Sequence, residues 1–256
     1  MKLILTGTGT SQGVPVIGCH CEVCTSADPK DKRLRSAAIF RADKQSGVAI
    51  DCGPDFRAQM LQIGQVKLEH ILLTHEHMDH VAGIDDVRAF NFQAGVTMNI
   101  WATPRVQDRL RAQFSYAFQA QPYPGAPRIE LQLLPDEPFE IDAMHIEPIR
   151  VHHGKWPVHG FRIGDTAYIT DVNGIDEEEL EHLQNLENLV LGVLHRKAHH
   201  SHFNLEEGIK MAQRIGAKRT YFTHISHNMG LYESVQNELP EGIELAYDGL
   251  ELDVNA

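Results

Sequence analysis

Residues 71–80, ILLTHEHMDH, end an apolar run at Thr74 and then present His75, His77, Asp79 and His80 within six positions. A turn can aim His75 and His77 to one side, while Asp79 and His80, opening the next helix, reach a neighbouring point. One loop would then serve two metal sites. Imidazole and carboxylate donors suit Zn, Mn or Fe, and two cations about 3.5–4 Å apart clamp the attacking and leaving oxygens of a displacement. A merely polar His-rich loop is the bland alternative; four ligand-type residues directly after an apolar strand weigh against it. A second constellation is Cys19-His20-Cys21-Glu22-Val23-Cys24. Its three thiols offer a structural zinc three of the four donors of a tetrahedral site, with one still needed from elsewhere. Cys52, alone, reads as a small buried hydrophobe.

Composition agrees with metal chemistry and excludes several other classes. Sixteen His among 256 residues is a high count for the commonest metal-ligating side chain. Clustered cysteines read as a metal knuckle in a reducing compartment more readily than as disulfides. No run of 18 apolar residues and no signal-peptide h-region is visible, so the expected location is cytoplasmic, without membrane association. Lys and Arg number 23 against 35 Asp and Glu, a net charge of −12 that disfavours a stable nucleic-acid partner. The opening KLILTGTGTSQGVP has loop glycines but neither a Gly-Lys-Ser/Thr ending nor a following helix pattern, which argues against a nucleotide cofactor.

The elements that must position these residues are short apolar runs. Besides the first strand, they predict strands at Ala37–Phe40, Val48–Ile50, His70–Leu73, Met98–Trp101, His145–Val151, Gly160–Ile163, Ala167–Ile169, Leu189–Val193 and Thr220–Phe222. Thr103-Pro104 predicts a helix running to about Phe118, and Asn204 with Glu207 a capped helix stopped by Gly216. Asp176–Glu181 predicts another helix start. Interspersed strands and helices without an evident linker point to one α/β or α+β domain over residues 1–256, built of packed layers. Residues 119–128, QAQPYPGAPR, predict a surface loop or lid, with Tyr116, Phe118 and Tyr123 as core or subunit contacts.

His75-x-His77-x-Asp79-His80 after a strand resembles the signature of the metallo-β-lactamase superfamily. RVHHGK, AYITDVNG and TYFTHISH resemble its later motifs in order, supplying His153 (or His152), Asp171 and His224. His153 is preferred over His152 because the His-Gly-Lys that it opens, followed by Pro and then Gly-Phe-Arg, is similar to the family's form. The resemblance implies a four-layer αββα sandwich of two mixed sheets. It also implies one metal held by His75, His77 and His153, another by Asp79, His80 and His224, and Asp171 as the bridge. Asp51, in VAIDCG, would orient a ligand His or cap a turn. GTGTSQGVPVIGCHCEVC, AYDGLEL and Thr223-His224-Ile225-Ser226-His227 resemble the carbon–phosphorus lyase pathway cyclic phosphodiesterase branch. That branch implies a structural zinc on Cys19, Cys21, Cys24 and His227, with His20 as the local alternative fourth donor.

The implied activity is hydrolysis of a small or cyclic phosphodiester, a hydroxide held by two divalent ions (Mn or Zn, otherwise Fe) attacking phosphorus. Asp79 and His202 are the catalytic candidates, His202 as proton donor to the leaving oxygen, with His199 and His200 its competitors. Arg33, Arg35, Lys155 and Arg162 could neutralise phosphate. His70, His145, His159, His182 and His195 receive no role. The rivals are a thioesterase or lactonase of the same fold and a non-hydrolytic metal-binding protein of a cofactor pathway. The expected partner is a small-molecule substrate, and the expected assembly a homodimer.

Overall fold

Strand residues alternate between two cores, and that alternation builds the molecule. The computed structural model describes residues 1–255. The first sheet comprises β1 (Lys2–Gly7), β2 (Ala37–Asp43), β3 (Ser46–Ile50), β4 (His70–Leu72), β5 (Met98–Ala102), β6 (Ile129–Leu133) and the late-returning β15. The second comprises β7 (Phe139–Ile141), β8 (Met144–His153), β9 (Trp156–Ile163), β10 (Thr166–Ile169), β11 (Asn188–His195), β12 (Phe203–Asn204), β13 (Arg219–Thr223) and β14 (Ile243–Leu245), while β15 is Glu251–Asp253. The orders are β15-β1-β2-β3-β4-β5-β6 and β14-β13-β11-β10-β9-β8-β7, with β12 pairing β11. Both sheets are mixed, since β1–β3 and β7–β10 pair antiparallel and β3–β6 and β10, β11, β13 and β14 parallel.

In β1 to β4, Leu3, Leu5, Ala38, Phe40, Val48, Ile50 and Leu72 pack between the sheets against Ile146, Phe161, Ile163, Tyr168, Val190 and Tyr221. Their alternates Ile4, Ile39, Ala49 and Ile71 face the other way, onto helices. Period-2 side-chain direction forces this split, and burial on both faces explains why the strands read as continuous apolar runs. The helices are α1 (Glu22–Thr25), α2 (Phe56–Ile63), α3 (Met78–Val81), α4 (Arg88–Gln93), α5 (Pro104–Gln113), α6 (Glu177–Glu181), α7 (Leu205–Ile215) and α8 (Tyr232–Gln236). α2, α4 and α5 cover the first sheet, while α6, α7 and α8 cover the second. The layers therefore run helix, sheet, sheet, helix, as the resemblance implied.

Caps behave as their residue types dictate. Asn204 Oδ1 accepts from the Glu207 amide and Glu207 Oε2 from the Asn204 amide, both at 3.0 Å, and Gly216 closes α7 at φ 71°. The helix expected to reach Phe118 stops at Gln113, where Phe114 leaves helical geometry, and resumes as a 3₁₀ turn over Ser115–Phe118. Tyr116 and Phe118 pack on the first sheet's helix-side core, whereas Tyr123 stays half exposed, stacked on Tyr116 with ring centroids 6.2 Å apart. The edge strands β6, β7, β14 and β15 escape the sequence reading because they are three to five residues long with few apolar positions. No helix is long and apolar enough to cross a membrane among the described residues.

Candidate functional site

Carboxyl ends of strands converge on one edge of the sandwich, where open sheets of this kind gather their ligands. Asp51 follows β3, His75 follows β4, His153 ends β8, Asp171 follows β10 and His224 follows β13. Three of these residues hold left-handed backbone without being glycine: Asp51 (φ 65°), Asp171 (φ 50°) and His224 (φ 59°). Such conformations cost of order 1–3 kcal/mol and persist where the surroundings over-determine them, typically at functional sites.

Donor atoms of His75, His77 and His153 lie within 4.8 Å of one another, and so do those of Asp79, His80, Asp171 and His224. His153, Asp171 and His202 form a third, overlapping group. The ring hydrogen bonds fix which nitrogens are free. His153 Nδ1 donates to the Ser201 carbonyl at 2.8 Å, leaving Nε2 with its lone pair. The Thr74 hydroxyl donates to Asp51 (2.9 Å) and accepts from His75 Nδ1 (2.9 Å), which leaves His75 Nε2 free, 2.9 Å from His77 Nδ1. His80 Nδ1 donates to Asp51 at 2.6 Å. Its Nε2 lies 3.2 Å from carboxylate oxygens of both Asp79 and Asp171, yet is buried and aligned for a hydrogen bond with neither. A buried nitrogen without a hydrogen bond is costly unless something else takes its lone pair, and a cation among these oxygens would. The donor set fits divalent metal ions.

Asp51 thus steadies both halves of the site, reaching His80 directly and His75 through Thr74. The Thr10 and Ser36 hydroxyls flank the His224 ring nitrogens at 3.3 and 3.1 Å. Burial works against ionising Asp171, but the imidazoles of His224 and His80 outweigh it and hold the carboxyl well below the usual range. Burial likewise opposes a charged His80, and Asp171, Asp79 and Asp51 outweigh it, raising its pKa.

His152 and His153 part company through the pleat. His153 turns into the cluster, while His152 pairs with Asp176 at 2.9 Å on the outer surface. Among the three loop histidines, His202 faces the donors. Its ring lies between His153 and His224, centroids 4.6 and 4.9 Å away, with Nδ1 4.0 Å from Asp171. Burial and the neighbouring His224 push its pKa down. His199 stands behind it at 5.1 Å, and the His200 side chain is exposed.

Of the candidate phosphate-neutralising cations, three are engaged elsewhere. Arg33 is buried, donating to Thr8 Oγ1 and the Ala246 carbonyl; Arg35 pairs with Asp55 at 3.0 Å; Arg162 donates to the carbonyls of Gly164, His182 and Gln184. Lys155 alone is exposed at the β8–β9 turn, two residues from His153. Thr74, Ser201, Thr10 and Ser36 went unread in the sequence because their roles depend on long-range approach; only the position of Thr74 beside His75 was a local signal.

The knuckle closes across the chain. Cys19, Cys21 and Cys24 Sγ lie 3.3, 3.4 and 3.5 Å from His227 Nδ1, while His20 is exposed. Tetrahedral zinc with Zn–S about 2.3 Å and Zn–N about 2.0 Å places sulfur and nitrogen about 3.5 Å apart, so the spacing fits. The Cys24 amide and His227 lower the Cys21 thiol to about 6, toward the thiolate a metal needs, while burial raises Cys24 to about 11. Cys52 is buried, as expected of a small hydrophobe. A separate cleft of about 730 Å³, lined by Phe56, Met60, Leu61, Phe90 and Phe92 among others, contains none of the donor residues.

The family described as "Beta-lactamase superfamily domain" matches residues 47–225. A solved structure titled "Crystal Structure of a New Diphosphatase from the PhnP Family" is 38% identical, covers 98% of this chain and 96% of that one, and superposes with a TM-score of 0.91. Zn(2+)-bound PqqB from Methylobacterium extorquens shares the fold at 21% identity and a TM-score of 0.81, covering 99% of this chain and all of that one. An octanoyltransferase of Porphyromonas gingivalis is 41% identical over 253 residues, 98% of this chain and 51% of that protein. The chain therefore spans about half the length of that curated relative. A superfamily match across most of the chain, joined to a near-complete superposition, settles its kinship: the chain belongs to the metallo-β-lactamase superfamily, close to its PhnP branch.

Proposed function

We propose that this protein is a metal-dependent hydrolase of a small phosphoester, a phosphodiester in the first instance, acting through the cluster at the strand ends. The observation that carries the reading is that two groups of donor side chains, seven residues in all, are linked by a third group that shares His153 with one and Asp171 with the other and adds His202. His75, His77 and His153 would hold one divalent ion, Asp79, His80 and His224 the other, and Asp171 would lie between. Two divalent ions held there (Mn or Zn, otherwise Fe) would supply neutralisation of phosphoryl oxygens and a lowered pKa for water. Asp171 supplies the negative charge that offsets repulsion in such a pair. His202, neutral in the free site, would take up a proton when a phosphate anion lies against it and pass that proton to the departing oxygen. Lys155 adds positive charge at the rim. Cys19, Cys21, Cys24 and His227 would hold a structural zinc, tying the N-terminal loop to the strand end that carries His224. The similarity to a protein titled a diphosphatase supports phosphorus as the reacting atom. A small-molecule substrate, no stable nucleic-acid partner and a homodimer complete the reading.

The name of the Porphyromonas relative favours a second reading, attack on an acyl carbon, although the chain matches only 51% of that protein. A steady-state assay of Mn-loaded protein on bis(p-nitrophenyl) phosphate, beside p-nitrophenyl phosphate, a thioester and a lactone, separates the two. Turnover confined to the diester supports the proposal. A preference for thioester or lactone transfers the protein to the acyl class, and silence on all four with metals present overturns the hydrolase reading for these bonds.

A further inference from the structure

Beside the donor cluster stands a large aromatic side chain that the fold does not bury. Trp156 opens β9 as the cross-strand partner of His153, so the indole and the imidazole leave the hairpin on the same face. His153 turns into the donors, and Trp156 stays 55% exposed. Arg105, from α5 on the other sheet, lays its guanidinium on the indole with Cζ 3.9 Å from the ring centroid. Arg105 is anchored by Glu76, the residue between His75 and His77. A salt-bridged cation therefore fixes one face of the indole at the mouth of the site. A planar ring covered on one face yet more than half exposed offers its other face to solvent.

From this arrangement we infer that Trp156, backed by Arg105, is a stacking subsite for a planar heteroaromatic group on the substrate, a nucleobase being the class that fits. The inference rests on the phosphoester reading and deepens it, because a ring stacked there belongs to a molecule whose phosphate lies at the donors. A guanidinium and an indole are the side chains best suited to hold a base face without reading its edges. An exposed Trp at a hairpin tip has no part in the core, since the same-face neighbours Val151 and Val158 already fill it. Gly154 and Lys155 complete the two-residue turn between the strands, with Gly154 at φ 65°, so the backbone holds Trp156 in fixed register with His153.

The test is equilibrium binding to the metal-loaded protein of adenosine 5′-monophosphate and of ribose 5-phosphate, read by calorimetry and by quenching of tryptophan emission. The two ligands share sugar and phosphate and differ by the base. The subsite predicts that the nucleotide binds about tenfold tighter or more, the range that stacking on one aromatic side chain supplies. Trp156→Leu should erase the difference and the quenching, and Trp156→Phe should keep most of the difference. Equal affinities in the wild type, no binding of either ligand, or a preference that survives Trp156→Leu would overturn the subsite. Turnover of bis(p-nitrophenyl) phosphate, followed separately, distinguishes the failures. An active protein with no base preference refutes only the subsite, whereas base stacking without diester turnover refutes only the hydrolase reading.

Discussion

Asp51→Asn asks how far one buried carboxylate holds the metal donors in place. The variant keeps the shape of the side chain, and its carbonyl oxygen can still accept from the Thr74 amide and hydroxyl, which reach Oδ1 at 2.9 and 3.0 Å. In place of Oδ2 stands an NH2 group, facing a His80 Nδ1 that donates across 2.6 Å in the wild type. Two donors then oppose each other. Either the bond is lost, or the imidazole carries its proton on Nε2, where a cation requires the lone pair. A hydrogen bond to a charged group is worth about 1.5–3 kcal/mol, equivalent to about ten- to a hundredfold in affinity. The assay is metal content, by mass spectrometry of the elements, after equilibration against a graded series of competing chelator. One of the two ions proposed for the strand-end cluster should be held about ten- to a hundredfold more weakly, while the zinc proposed for the cysteines and the far-UV circular dichroism stay as in the wild type. Unchanged affinity for both ions would refute the claim that Asp51 positions His80. Parallel loss of the cysteine zinc would mean that the substitution acts by unfolding the protein.

Asp79→Ala should abolish turnover and lower metal content, whereas His202→Ala should retain the metals and lower kcat by about 10²–10⁴-fold; full activity in the latter removes His202 from proton transfer. Cys21→Ser should lose one zinc per chain and lower the melting temperature with the other metals kept, and unchanged zinc content would reject the four-donor knuckle. Asn204→Ala removes a reciprocal cap and should cost about 1 kcal/mol in urea unfolding without altering metal content. His70 is held neutral by burial, and its Nδ1 accepts from the Trp101 indole at 3.3 Å. Because its folded pKa lies below the unfolded value of 6.5, its contribution to stability is complete above pH 6.5 and is lost as pH falls below that. The urea midpoint should therefore drop more steeply between pH 6.5 and 5 in the wild type than in His70→Gln, and identical slopes would reject the assignment.

Much of the architecture was legible because local rules decided it. Strands buried on both faces announce themselves as apolar runs, as in Val48–Ile50 and Leu189–Val193, and the Asn204/Glu207 cap and Gly216 stop are written in adjacent residues. Edge strands such as β7 and β15, three residues long and paired on one side, carry too little pattern to be seen. The side chains of Arg33 and Lys155 illustrate the limit for charge. Nothing in the sequence tells that one is buried against Thr8 and the Ala246 carbonyl while the other stands free at the rim.

By itself the sequence determined the donor types, their spacing in His75-x-His77-x-Asp79-His80 and Cys19-x-Cys21-x-x-Cys24, and the acidic balance, because coordination chemistry is a property of side chains in short reach of one another. Tertiary structure decided the rest. It selected His153 over His152 through the pleat of β8, brought His227 against thiols 203 to 208 residues away, and ran Asp51 to His80 across 29 residues. It also set Trp156 beside Arg105 from the opposite sheet. These are contacts between elements whose separation along the chain is long and whose meeting depends on how two sheets pack, and that geometry exists only once the cores have closed.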